Sequence, residues 1–196
     1  MKPRIELLQG DCLELMKDIS DGSIDMILCD LPYGTTACKW DSVIPFEPLW
    51  EHYRRIAKQN AAIVLTASQP FTTKLISSNM QEFKYCWYWK KNFGSGYQNA
   101  KKQPLRMVED VVVFYRNTAK YNPQGLTPKY RVRKNNVGAS KSIVGGTEGA
   151  GGLRTNGNEW TQEFTNWPKN ILEFSSLTAG KVHPTQKPVP LMEYLI

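Results

Sequence analysis

Histidine and cysteine are scarce. The 196 residues contain two histidines and four cysteines, and Cys12, Cys29, Cys38 and Cys86 form no CxxC pair. That spacing argues against a zinc ribbon and offers no disulfide framework, so no metal is expected and a reducing cytoplasm is the expected compartment. No run approaches the roughly 18 apolar residues of a membrane helix, and the opening MKPRIELLQGD lacks the apolar stretch of a signal peptide. No membrane partner is expected. Acidic residues are also scarce in one block. From Phe83 to Thr147 there are 13 basic residues and two acidic ones, Glu109 and Asp110.

The remainder of the chain balances the other way. The net charge is +7, of which the block holds +11 and the rest −4. A mildly acidic body with one basic block suggests a polyanion partner, although a solvated lysine-rich face has the same composition. Hydrophobic residues at 41% and charged residues at 22% fit a globular chain rather than a disordered one.

The first 80 residues alternate strand and helix patterns. Arg4 to Leu8 predicts a short strand. Asp11 predicts an N-cap with Glu14 three residues on, and Leu13, Met16 and Ile19 have helical spacing. Ile24 to Cys29 is a near-continuous apolar run, as in a strand buried on both faces. Residues 30 to 45 read as loop. Phe46 to Gln59 predicts a helix with Trp50, Tyr53, Ile56 and Ala57 on one stripe. Ala61 to Thr66 predicts another strand, and Ser68 a cap for a helix from about Gln69 to Ser78. This order predicts an α/β fold with a parallel sheet covered on both faces. Phe83 to Lys91 and Asp110 to Arg116 then predict an antiparallel pair completing the sheet. From Asn117 to Gly180 periodicity fades, and residues 138 to 157 hold seven of the chain's 14 glycines. The segment predicts an irregular insert with a loop, whose Trp160, Phe164, Trp167, Ile171, Leu172 and Phe174 suggest packing in its second half. Pro188 or Pro190 opens a terminal helix.

Asp30, Leu31, Pro32 and Tyr33, followed by Gly34, come directly after the second strand. Open α/β sheets bind ligands at the carboxyl ends of their strands. Asp30 can accept a hydrogen bond from an amino group, and Pro32 stiffens a loop that leaves the Leu31 carbonyl to accept another. Tyr33 offers a flat face for a base. Such a set suits a planar ring with an exocyclic NH2. An ordinary strand-ending turn uses the same residue types.

DLPYG resembles the D/N/S-P-P-Y/F/W motif of S-adenosylmethionine-dependent amino-methyltransferases. In order, LLQGDCLELM, CDLPYG, AAIVLTAS, the stretch YCWYWKKNFGSGYQNAKKQPLRMVEDVVVFY and HPTQKPVPLMEYLI resemble the DNA adenine-N6 and cytosine-N4 group with permuted motif order. The resemblance spans about residues 5–116 and 168–196. It implies a Rossmann-like methyltransferase sheet, S-adenosylmethionine as cofactor and double-stranded DNA as partner, in a restriction-modification or phage setting. A target base inside a duplex must leave the stack to be modified. In the family's mechanism Asp30 and the Leu31 carbonyl accept both amino hydrogens, the nitrogen attacks the sulfonium methyl in line, and Tyr33 stacks on the base. Leu31 stands where proline is commonest. An initial Asp implies adenine-N6, with cytosine-N4 as the alternative. Asp11, Asp30, Thr185, Gln186 and Lys187 fall at cofactor-lining positions, Asp11 being equally suited to plain capping. Lys90, Lys91, Lys101, Lys102 and Arg106 near the base, and Arg131, Arg133 and Lys134 in the insert, are the expected DNA contacts.

Phe93-Gly94-Ser95-Gly96 looks like the family's cofactor loop but is followed by no helical period, so it reads as the hairpin linker. The expected division is a catalytic half over 1–116, a target-recognition insert over 117–180, and the start of the cofactor half over 181–196. The true glycine loop is expected beyond Ile196. On that ground the 196 residues are expected to bind cofactor weakly, and a DNA-binding remnant without activity is the competing reading. Whether two copies pair is open.

Overall fold

The computed structural model describes residues 5–36, 38–134, 138–139, 154–155, 159–176, 182–183 and 185–196. Most of the glycine-rich loop predicted over 138–157 lies outside them, as do the side chains of Arg133, Lys134 and Trp160. The chain divides into one unit of Met1–Tyr121 with Asn170–Ile196, and a second of Asn122–Lys169. The second is narrower than the insert read from the sequence.

Asp11 caps α1 (Cys12–Leu15), accepting from the Leu13 N–H at 2.8 Å, and a 3-10 turn (Met16–Asp18) follows. Glu14 does not return to the cap, because Lys17 pairs with it at 2.6 Å. β1 (Ile24–Asp30) leads through the loop to α2 (Phe46–Ile56), β2 (Ala57–Ala67) and α3 (Phe71–Ser78). The helix α2 ends three residues earlier than predicted. Lys58, Gln59 and Asn60 carry no apolar stripe, and β2 takes them instead, with Lys58 reaching Asp25 at 2.6 Å. The Ser68 cap is also corrected: its carbonyl, not its hydroxyl, meets the Thr72 N–H at 3.2 Å. No strand forms over the described part of Arg4 to Leu8. Ile5 and Leu7 are 81% and 91% exposed, and without a paired neighbour an extended run gains nothing from its backbone groups.

β3 (Phe83–Ser95) and β4 (Arg106–Phe114) form a long hairpin, and β9 (Ile171–Glu173) joins its outer edge. The sheet order is β1-β2-β4-β3-β9. β1 with β2 and β3 with β9 are parallel, whereas β4 is antiparallel to both neighbours. The sheet is thus mixed, parallel strands completed by an antiparallel pair as expected, with the hairpin placing β4 beside β2. α4 (Val189–Leu195) follows Pro188.

Period-two alternation distributes the two cores. Ile63, Leu65, Val112 and Phe114 face α2 and α3, packing on Leu49, Trp50, Tyr53, Phe71 and Leu75. Val64, Trp87, Trp89, Val111 and Val113 face the other way, onto Leu172 and Leu191 of α4. Of the apolar residues predicted to pack in the insert, Leu172 and Phe174 do so as part of the first unit, whereas Trp167 and Ile171 are each 56% exposed. The second unit contains a ribbon of β5 (Thr127–Lys134) with β8 (Glu159–Thr165), and a two-residue pairing of β6 (Gly138–Ala139) with β7 (Arg154–Thr155). Among the described residues no helix is long and apolar enough to cross a membrane.

Candidate active site

Asp30 ends β1 and pairs in register with Thr66 near the end of β2. The alternation that buries Leu28 and Val64 puts Asp30 and Thr66 on that same face, so both side chains meet at the carboxyl end of the sheet. Thr66 donates to Asp30 Oδ1. The Tyr33 hydroxyl lies 2.9 Å from that oxygen and 3.0 Å from Thr66 Oγ1. Its one hydrogen serves one of them at a time. Burial, followed by the Asp30 charge, pushes the Tyr33 phenol far up, so it stays a donor.

The other side of Asp30 is held by a cation. Lys187 Nζ lies 3.0 Å from each carboxylate oxygen, and its side chain is only 9% exposed. Glu109 of β4 lies behind it, with Oε1 3.0 Å from Lys91 Nζ and Oε2 3.5 Å from Lys187 Nζ. That Oε2 is buried and accepts no hydrogen bond. Lys91, Glu109, Lys187 and Asp30 thus alternate in sign from the hairpin to the end of β1.

A cleft of about 330 Å³ opens at this point. It is lined by Asp30 through Tyr33, by Thr35, Thr36, Trp40 and Asp41 of the following loop, and by His183, Thr185, Gln186 and Lys187. Asp41 organises the loop wall. Its carboxylate accepts the N–H groups of Gly34, Thr35 and Thr36 at 2.8, 2.9 and 2.7 Å. Burial alone would raise its pKa, but the Thr36 hydroxyl and these backbone donors outweigh that and hold it at about 2. Trp40 is half exposed and stands edge-on to His183 at 5.2 Å.

The cleft therefore brings together seven of the residues predicted for catalysis and cofactor, namely Asp30, Leu31, Pro32, Tyr33, Thr185, Gln186 and Lys187. Leu31 keeps its side chain in the core, 5% exposed, which anchors the turn from below. Asp11 is not among the lining residues, and its Oδ1 is engaged in the α1 cap. Tyr33 is less open than a bare stacking face. Phe71 stacks on it at 5.2 Å with ring planes 26° apart, and the Lys187 ammonium is 5.3 Å from its centroid. A base laid on the face under that ammonium requires the lysine to withdraw.

The predicted DNA contacts fall into three groups. Lys90 pairs with Glu173 at 2.8 Å, and Lys91 is 11% exposed on Glu109. Lys101, Lys102 and Arg106 are exposed at the hairpin tip and make no ion pair among the described residues. Arg131 is exposed in the second unit. Sequence reasoning missed Thr66, Asp41 and Glu109 as site residues. Each had a signal: Thr66 is a lone hydroxyl in the apolar run AAIVLTA, Asp41 a single acid after Lys39 and Trp40, and Glu109 with Asp110 the two acids of an otherwise basic block.

Comparison with known proteins completes the picture. A family model described as DNA methylase (N6_N4_Mtase) matches residues 24–196. The chain belongs to the N6_N4 DNA methylase family. Comparison with curated protein sequences gives no significant match. Among solved structures, the chain is similar to the PvuII DNA methyltransferase (cytosine-N4-specific), with 14% identity, a TM-score of 0.56, and coverage of 95% of this chain and 67% of that one. That likeness shows the methyltransferase fold, α/β with a Rossmann-like sheet. The M1.HpyAVI–SAM complex is 20% identical with a TM-score of 0.45, over 60% of this chain and 56% of that one. The chain thus spans between about half and two thirds of the length of these two structures.

Proposed function

We propose that this chain is the base-receiving part of a DNA methyltransferase that transfers a methyl group to adenine N6, in a restriction-modification or phage setting. The observation that carries this reading is Asp30. It is a carboxylate fixed by Thr66 and Tyr33 at the carboxyl end of β1, bordering a cleft with the Leu31 turn beside it.

Two acceptors there, the Asp30 carboxylate and the Leu31 carbonyl, suit the two hydrogens of an exocyclic amine. Accepting both draws the nitrogen lone pair out of conjugation with the ring and directs it along the cleft. Holding the nucleophile in line accounts for much of the acceleration in such reactions. S-adenosylmethionine, when bound, supplies the methyl group on a sulfonium. The donor set at Thr185, Gln186 and Lys187, a hydroxyl, an amide and an ammonium, fits the carboxylate of an amino-acid moiety. The Asp at position 30 favours adenine over cytosine within the family.

The test is expression of the full-length protein in a host without DNA methylation of its own, followed by nucleoside mass spectrometry. N6-methyladenine is expected, and Asp30→Ala abolishes it while DNA affinity stays within about twofold. N4-methylcytosine moves the substrate to cytosine. Neither methylated nucleoside refutes the reading, and near-normal turnover in Asp30→Ala removes Asp30 from the chemistry.

A further inference from the structure

The β3–β4 hairpin runs on past the sheet. The end of β2, Ala67, pairs with Asp110, but β4 begins at Arg106 and pairs there with Ser95. Beside β2 the hairpin therefore runs on, and although β9 still flanks β3 as far as Lys90, which pairs with Val108, the segment from Lys91 to Met107 lies past the last flanking strand. It projects from the end that carries Asp30, because Thr66 pairs with both Asp30 and Val111. The tip thus stands over the cleft side of the sheet, joined to it through Lys91, Glu109 and Lys187.

Two aromatic rings sit on this tip without ring partners among the described residues. Phe93 is 59% exposed and Tyr97 66%. Exposing two large rings at one turn costs apolar hydration, and the backbone around them is specific. A Cβ on Gly94 would meet the Leu105 Cβ at 2.9 Å, and Gly96 has φ +89°. Exposed Lys101, Lys102 and Arg106 follow the rings on the same tip, and no acid lies in 93–106. Exposed aromatic faces on one tip with cations that make no ion pair among the described residues match stacked bases flanked by phosphates.

We propose that Phe93 and Tyr97 form a wedge that enters the DNA stack at the gap left by the extruded base. This rests on the DNA methyltransferase reading above. Both rings and all three cations lie in the segment past the last flanking strand, so the rings can meet the bases while the cations meet the phosphates. Filling the gap offsets the lost stacking of the extruded base and holds the opened duplex over the cleft.

The experiment uses two labelled 20-bp duplexes, identical except that one carries a single abasic site, and fluorescence anisotropy at several salt concentrations. The wild-type chain is expected to bind the abasic duplex at least fivefold more tightly. The Phe93→Ala/Tyr97→Ala chain loses that preference with an unchanged log–log salt slope, because rings release no counterions. The Phe93→Tyr/Tyr97→Phe chain keeps it. Equal wild-type binding to both duplexes overturns the wedge and leaves the methyltransferase reading standing. A preference that survives in the alanine chain, or a flattened slope there, also overturns it. Binding to neither duplex overturns both readings.

Discussion

Removing the Asp41 carboxylate tests how the cleft wall is built. One buried side chain, 9% exposed, accepts three consecutive backbone donors, from Gly34, Thr35 and Thr36. A hydrogen bond to a charged group contributes about 1.5–3 kcal/mol net. Water reaches the rim of an opened loop and recovers part of this, so about 1 kcal/mol per donor is the appropriate figure. Asp41→Ala then weakens closure of the loop by about 3 kcal/mol, roughly a hundredfold in its opening equilibrium. Amide hydrogen exchange reads this directly, as faster exchange at Gly34, Thr35 and Thr36 with little change in β1 or β2. Asp41→Asn keeps one acceptor oxygen and loses about half the effect. The pH dependence has a fixed sign. The folded carboxyl is held at about 2, below its ordinary 3.8, so the protection is complete above about pH 4 and disappears as pH falls through 2. Less than a threefold change in Asp41→Ala at neutral pH refutes the reasoning.

Phe114 is fully buried between Trp50 at 4.9 Å and Phe83 at 6.0 Å, so Phe114→Ala costs about 3–5 kcal/mol, read as a lower denaturation midpoint at unchanged slope; a loss below 1 kcal/mol contradicts the packing. Replacing Arg131, Arg133 and Lys134 with alanine lowers the log–log salt slope of DNA binding by up to about 3, and an unchanged slope places them away from phosphates. Exposed Cys38 alkylates first, whereas Cys86, pushed up to about 11 by burial and then by the Asp110 charge, alkylates last near pH 8; mass spectrometry of timed samples showing the reverse order refutes the burial argument.

What could be read in the sequence was whatever a local pattern encodes. The apolar run before Asp30 marked β1, and the stripe of Trp50, Tyr53 and Ile56 marked α2. The turn residues at 30–34 marked the mouth of the cleft. The hairpin announced itself as two aromatic or β-branched stretches, but its place in the sheet did not. Whether β4 or β3 lies beside β2 is decided by long-range pairing, here Leu65 against Val112, and neither residue carries that information locally. β9 escaped notice for a related reason. Three residues have no period, and Ile171–Glu173 is a strand only because β3 offers an edge, with the Tyr88 N–H donating to the Asn170 carbonyl at 2.7 Å. The site followed the same division. DLPYG and HPTQKP were legible as motifs, but the ion pair that joins Asp30 to Lys187 spans 157 positions.

On the proposed role of Asp30, that pair bears on how a carboxylate held by an ammonium becomes available to a neutral amine. At 3.0 Å and an effective dielectric near 20, the Lys187–Asp30 attraction is roughly 5 kcal/mol before desolvation. An amino group cannot displace a cation against that cost alone. Glu109 changes the balance. Its Oε2 is 3.5 Å from the same ammonium and has no other partner, which by the same arithmetic provides an attraction only about 1 kcal/mol weaker. A shift of a few tenths of an ångström therefore carries Lys187 from one carboxylate toward the other at small cost. Lys91 keeps Glu109 from being an uncompensated buried charge while it waits. The four alternating charges do more than neutralise one another. On the proposed function, they give Lys187 a second carboxylate to lean on, so that Asp30 turns an oxygen to an incoming amine without stranding the lysine.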